Sequence, residues 1–166
     1  MRRPSPAMIV ASAALFAATA GVSYAAVTTP HDPSFTARGV AFVPTASANG
    51  VILPLTGANT SGLVNHGMTL SGTHAVAVPT SGIYNLTLAG NCNAGATGTF
   101  LKIVEGNGLL GNKVDLAIGF EGNPSLAGAT TVHLNAGTAL NMVAGHKGAD
   151  ATCGATLGAT LVSADA

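Results

Sequence analysis

Charge is scarce in this chain. Lysine and arginine together number 6, aspartate and glutamate 6, so only 7% of the 166 residues are charged, against about 25% in an average soluble domain. Tryptophan is absent, and tyrosine and cysteine occur 2 times each. Each shortage closes off a reading. No basic patch exists to hold a nucleic acid or an anionic membrane. Sugar stacking on exposed aromatic rings has little to work with. Two cysteines without a spaced histidine pair make a poor zinc site. Helical periodicity is missing too, since few segments repeat apolar residues at spacings of three and four without an interrupting Gly or Pro. Glycine is plentiful at 22 residues but follows no fixed period, which excludes a collagen-like repeat.

Catalytic sets are also lacking. No serine lies in a Gly-x-Ser-x-Gly elbow, the strand-to-helix turn that exposes a nucleophile. Paired carboxylates for glycoside chemistry would have to come from Glu105, Glu121, Asp115 or Asp150, and Glu105 and Asp115 read as ordinary charges on or near strands. The histidines, His31, His66, His74, His133 and His146, show no metal-site spacing and read as surface or hydrogen-bonded groups. Leu53-Pro54-Leu55-Thr56-Gly57 matches a sortase pentapeptide but lies in mid-chain, without the apolar span and basic tail such a signal needs. The chain therefore reads as a non-enzyme with no cofactor and no metal.

What is present begins with an export signal. Arg2 and Arg3 precede an uncharged apolar run from Ile9 to Val22, and Ser23-Tyr24-Ala25 places small residues where a signal peptidase cuts. A charged start, a short greasy helix and a small-residue site make a secretory signal peptide over residues 1–25, cleaved after Ala25. The run is shorter than the roughly 20 apolar residues of a membrane span, so no span is expected in the mature chain. Residues 26–37, with Pro30 and Pro33, read as an extended leader, and residues 38–166 as one domain. After cleavage, Arg38, Lys102, Lys113 and Lys147 stand against Asp32, Glu105, Asp115, Glu121, Asp150 and Asp165, a balance of −2. Thr, Asn, Ser and Gly must do most of the solvating, which suits a protein that buries surface in an oligomer. Outside the cell, a single Cys92–Cys153 disulfide is the first reading of the two cysteines, with two free thiols as the other.

The body reads as short strands at about ten-residue intervals, bounded by Gly, Asn, Pro and Ser, as in sandwiches and barrels. Strands are expected at Arg38–Val43, Val51–Leu55, Thr73–Val78, Ile83–Leu88, Thr99–Glu105, Lys113–Phe120, Thr130–Leu134, Ala139–Ala144 and Ala155–Val162. Because strand side chains point to opposite faces in turn, three stripes mark core surfaces. These are Tyr84, Leu86 and Leu88; Val114, Leu116, Ile118 and Phe120; and Leu157, Ala159 and Leu161. Their opposite faces carry small or uncharged residues. Asn107-Gly108, Asn135-Ala136-Gly137 and Pro79-Thr80-Ser81-Gly82 supply turns between them.

Three segments resemble a known family. Val78-Pro79-Thr80-Ser81-Gly82-Ile83-Tyr84 is similar to the Val-Pro-x-x-Gly-x-Tyr corner of complement subcomponent q globular heads and tumour-necrosis-factor-like proteins. Val132-His133-Leu134-Asn135-Ala136-Gly137-Thr138-Ala139-Leu140 resembles the family's strand, Leu-x-x-Gly-Asp turn and following strand. Leu157-Gly158-Ala159-Thr160-Leu161-Val162 resembles its last strand. The matches span about residues 38–163, with Pro79, Gly82, Tyr84 and Gly137 as the structural motif residues. Thr138 stands where the family has Asp, core aromatics are fewer, and no calcium ligands carry over. The resemblance implies an all-β, two-sheet antiparallel jelly-roll sandwich of about ten strands, and a homotrimer. It also implies that the strand after the Val-Pro corner lies antiparallel beside the last strand. That places Cys92 and Cys153 within the roughly 6 Å between Cα atoms that a disulfide needs.

The expected function is a secreted jelly-roll module with a structural or recognition role outside the cell or at its surface. Its partner is itself, together with a protein or glycan ligand that the sequence does not specify. A carbohydrate-binding, lectin-like module and a fibre-forming surface-coat protein are the alternatives, the latter because charge-poor strands with open edges assemble.

Overall fold

The computed structural model describes residues 32–44, 49–93, 96–106, 113–120 and 125–165. The expected signal peptide, the first half of the leader (residues 26–31), the Asn107-Gly108 turn and Glu121 lie outside these residues. Eleven β-strands and no helix occupy the described residues. One sheet runs β3 (Thr60–His66), β1 (Ser34–Val43), β11 (Ala151–Ala164), β6 (Gly82–Cys92) and β9 (Leu126–Leu134). The other runs β4 (Thr69–Ser71), β5 (Ala75–Ala77), β10 (Ala139–Gly148), β7 (Ala96–Glu105) and β8 (Lys113–Phe120), with β2 (Val51–Ile52) on the flank of β10. All pairings are antiparallel. From β5 to β6, β6 to β7, β8 to β9 and β9 onwards the chain passes from one sheet to the other. This is a two-sheet jelly roll.

Apolar alternation explains the layering. Tyr84, Leu86 and Leu88 of β6 and Leu157, Ala159 and Leu161 of β11 face inward and are buried, as two of the expected stripes require. Phe35 and Ala37 of β1 join them, and Leu101, Ile103, Leu140 and Met142 come from the facing sheet. Each fully buried Leu, Ile, Met or Phe contributes about 1.5–3 kcal/mol relative to exposure. The sortase-like segment belongs to this core, with Leu53 and Leu55 buried and their amides donating to Met142 O and Thr73 O.

The strands depart from the expected ones in several places: β2 stops at Ile52, β6 runs on to Cys92, and β9 and β11 begin at Leu126 and Ala151. Strand β1 starts at Ser34 rather than Arg38, because Phe35 and Ala37 supply two further inward positions. Strands β3 and β4 were not expected. Nearly every residue in them is exposed, so they carry no alternation, and their position comes from pairing with β1 and β5. The third stripe is interrupted. Ile103 pairs with Leu116 but Val104 with Val114, so Asp115 is the extra residue of a β-bulge, which bends the strand and shifts its facing. Leu116 and Ile118 pack against the core, whereas Val114 is 48% exposed.

Candidate recognition surface

The motif residues of the Val-Pro corner sit where the two sheets are joined. Val78 N donates to Thr138 O at 3.0 Å, and Gly137 N donates to Val78 O at 2.8 Å. The segment entering β6 is thereby tied to the turn leaving β9. Gly137 has φ +83°, a left-handed conformation that glycine adopts without Cβ strain. Pro79 begins the corner, and Tyr84, fully buried, donates its hydroxyl to Thr80 O at 2.9 Å. Burial pushes the Tyr84 phenol above its usual range, against the opposing effect of that backbone hydrogen bond. Gly82 lies between β9 and β11, where a Cβ would overlap the Ser163 carbonyl oxygen. The expected Cys92–Cys153 disulfide is present as a directly opposed pair on β6 and β11, Cα atoms 4.0 Å apart. Both cysteines lie within the strands rather than flanking them.

Because the inward residues of β1, β11, β6 and β9 fill the core, their alternates form the outer face of the five-stranded sheet. Directly opposed residues share a face, so this surface is ordered in rows. Ser34, Thr160, Asn85 and Thr131 make one row; Thr36, Gly158, Thr87 and Ala129 the next; Arg38, Thr156, Ala89 and Ala127 a third. Val40, Gly154 and Asn91 follow, then Phe42 and Thr152. Phe42 is 59% exposed, and Val64 of β3 is 50% exposed on the same side. Arg38 is the sole lysine or arginine in the strands of this sheet.

At the rim of this face His133 of β9 reaches across the start of β6 to Asp165. Its Nε2 lies 3.1 and 2.9 Å from the two carboxylate oxygens. The Asp165 amide donates to Ser81 O at 3.0 Å, and the Ala136 amide to Ser81 Oγ at 2.9 Å. Both side chains are about half exposed, so the contact contributes little to stability.

The remaining histidines are scattered. His66 ends β3, His74 contacts the Thr73 hydroxyl through Nδ1 at 2.6 Å, and His146 is buried with Nε2 at 2.9 Å from Val43 O. His31 lies outside the described residues. No group of three or more His, Cys, Asp or Glu able to hold a metal occurs among the described residues.

One charged cluster was not legible beforehand. Lys113 Nζ bridges Glu105 Oε1 at 2.7 Å and Asp115 Oδ1 at 3.0 Å. The Asp115 side chain is fully buried; Oδ1 faces the Lys113 ammonium and Oδ2 has no hydrogen-bond partner among the described residues. Burial pushes its carboxyl above the usual range, the Lys113 ammonium pulls it back, and the Glu105 carboxylate adds to the rise. The same two carboxylates raise Lys113, the Glu105 hydrogen bond most of all. Only the bulge could have signalled this, because it turns a residue of the expected outer face toward the interior.

No protein-family model and no curated protein matches the sequence. Solved structures do match the fold. Murine APRIL is similar at TM-score 0.57 and 17% identity, over 79% of this chain and 99% of that one. The PRD1 vertex protein P5 is similar at TM-score 0.59 and 14% identity, over 79% and 97%. The globular domain of zebrafish complement 1qA is similar at TM-score 0.51 and 14% identity, over 80% and 99%. No helix among the described residues is long and apolar enough to cross a membrane. The fold of this chain is therefore the jelly roll seen in tumour-necrosis-factor-like proteins and complement globular heads.

Proposed function

We propose that this chain is a secreted, non-enzymatic jelly-roll module that assembles as a homotrimer and serves a structural or recognition role at the cell surface or outside the cell. The outer face of the five-stranded sheet carries the reading. It is a broad, strand-ordered surface of Thr, Ala, Gly and Asn with Phe42 and Val64 exposed on it. A surface with apolar side chains and almost no charge is poorly suited to water and well suited to a second protein surface. Short side chains keep it even, so neighbouring copies around a three-fold axis can approach it closely through a different part of their surface. The fold is shared with a vertex protein and with a complement globular domain, which supports structural and recognition roles. The lectin-like alternative loses its tyrosine, because Tyr84 is buried and hydrogen-bonded. Light scattering across a dilution series from about 1 to 100 µM tests the assembly, that range spanning the affinities of ordinary protein associations. A trimer mass is expected, and a monomer at every concentration would refute the reading.

A further inference from the structure

Glu105 ends β7 and Lys113 begins β8, directly opposite each other at the mouth of their hairpin. The bulge at Asp115 brings a second carboxylate to the same point. One ammonium therefore stands between two acids, 2.7 Å from Glu105 Oε1 and 3.0 Å from Asp115 Oδ1. The mouth is held to β10, since Gly106 N donates to Ala139 O and Asn141 Nδ2 donates to Gly106 O.

Two defects remain in this cluster. Two carboxylates against one ammonium leave a surplus negative charge. Asp115 Oδ2, on a fully buried side chain, has no hydrogen-bond partner among the described residues, and an unsatisfied buried oxygen is unfavourable. A divalent cation at the ammonium's position removes both. Calcium binds carboxylate oxygens at about 2.3–2.6 Å, a few tenths of an ångström closer than Nζ stands. It also accepts both oxygens of one carboxylate, so Oδ2 gains a partner beside Oδ1. Magnesium asks for about 2.0–2.1 Å in near-ideal octahedral order, a harder fit for a side chain fixed in a bulge. Lys113 is 54% exposed, so its ammonium can withdraw into water.

We propose that Glu105 and Asp115 form a calcium site, in which the ion replaces the Lys113 ammonium between the two carboxylates. Water completes the shell, because no group of three or more His, Cys, Asp or Glu able to hold a metal occurs among the described residues. Lys113 is then a built-in competitor that occupies the site at low calcium and yields it at high calcium. The cluster lies on the six-stranded sheet, not on the face assigned to assembly, so it stands or falls independently of the trimer.

The test is isothermal titration with calcium chloride at neutral pH, for the wild type, Lys113→Gln and Asp115→Asn, each with an unchanged circular dichroism spectrum. Sodium chloride at matched ionic strength is the blank. The wild type is expected to bind one ion per chain with Kd of about 0.1–1 mM, the range of extracellular calcium modules. Lys113→Gln should bind about tenfold tighter, because two partly exposed ion pairs no longer have to be broken. Asp115→Asn should bind at least about tenfold more weakly, since the amide carries no charge. Equal affinity in Asp115→Asn and the wild type would put the ion elsewhere and overturn the site. Wild-type protein that takes up no calcium at about 10 mM overturns it as well. So does Lys113→Gln binding more weakly than the wild type, because Lys113 would then support the ion rather than compete with it.

Discussion

Replacing Asp115 with Asn should make the protein more stable at neutral pH. Asp115 is a buried carboxylate with Oδ2 lacking a hydrogen-bond partner among the described residues, one ammonium 3.0 Å from Oδ1, and a second carboxylate, Glu105, on the same ammonium. Leaving a buried polar group unsatisfied costs about 1–3 kcal/mol. The ion pair to Lys113, a side chain 54% exposed, returns about 0.2–1 kcal/mol. The net cost is about 1 kcal/mol, and an amide, which carries no charge and can donate toward Glu105, removes most of it.

The pH dependence fixes the cause. Burial raises the folded-state carboxyl above its ordinary 3.8, so the folded protein holds that proton more tightly than the unfolded chain. Stability from this group is fully present below about pH 4 and is lost as pH rises through the raised value. Asn cannot titrate, so its advantage should be about 1 kcal/mol at pH 7 and should shrink toward zero near pH 4. Urea unfolding of the oxidised protein, followed by far-ultraviolet circular dichroism because the chain has no tryptophan, measures both. A variant that unfolds at lower urea than the wild type at pH 7, or a gap that is the same at both pH values, would refute the reasoning.

Two further outcomes follow from the core and the corner. Replacing both Cys92 and Cys153 with Ala should cost about 4 kcal/mol in the chain-entropy account, since the bond closes a sequence separation of 61 residues; a urea midpoint unchanged from the oxidised wild type would contradict it. Tyr84→Phe should cost about 1–2 kcal/mol by leaving the Thr80 carbonyl without its donor, a drop of a few degrees in Tm. A loss above about 4 kcal/mol would mean that the ring, not the hydroxyl, had been disturbed.

Local pattern determined a good deal of this protein. Alternation at Tyr84-Leu86-Leu88 and at Leu157-Ala159-Leu161 marks inward faces because strand geometry has a period of two residues. Glycines at positions 82 and 137 fit the corner and turn that the family-like segments imply. The shortage of charge likewise belongs to composition, and with it the lack of a basic surface.

Tertiary structure alone decided the rest. Strands β3 and β4 bury almost nothing, so only their hydrogen bonds to β1 and β5 define them. The bulge at Asp115 depends on register against β7, which no single strand encodes, and it converts an outward carboxylate into a buried one. The rows of the outer face, and Arg38 laid over Gly154 within them, arise because antiparallel pairing sets residues distant in the chain directly opposite one another. A sequence states which residues alternate; the partner strand decides which of them meet.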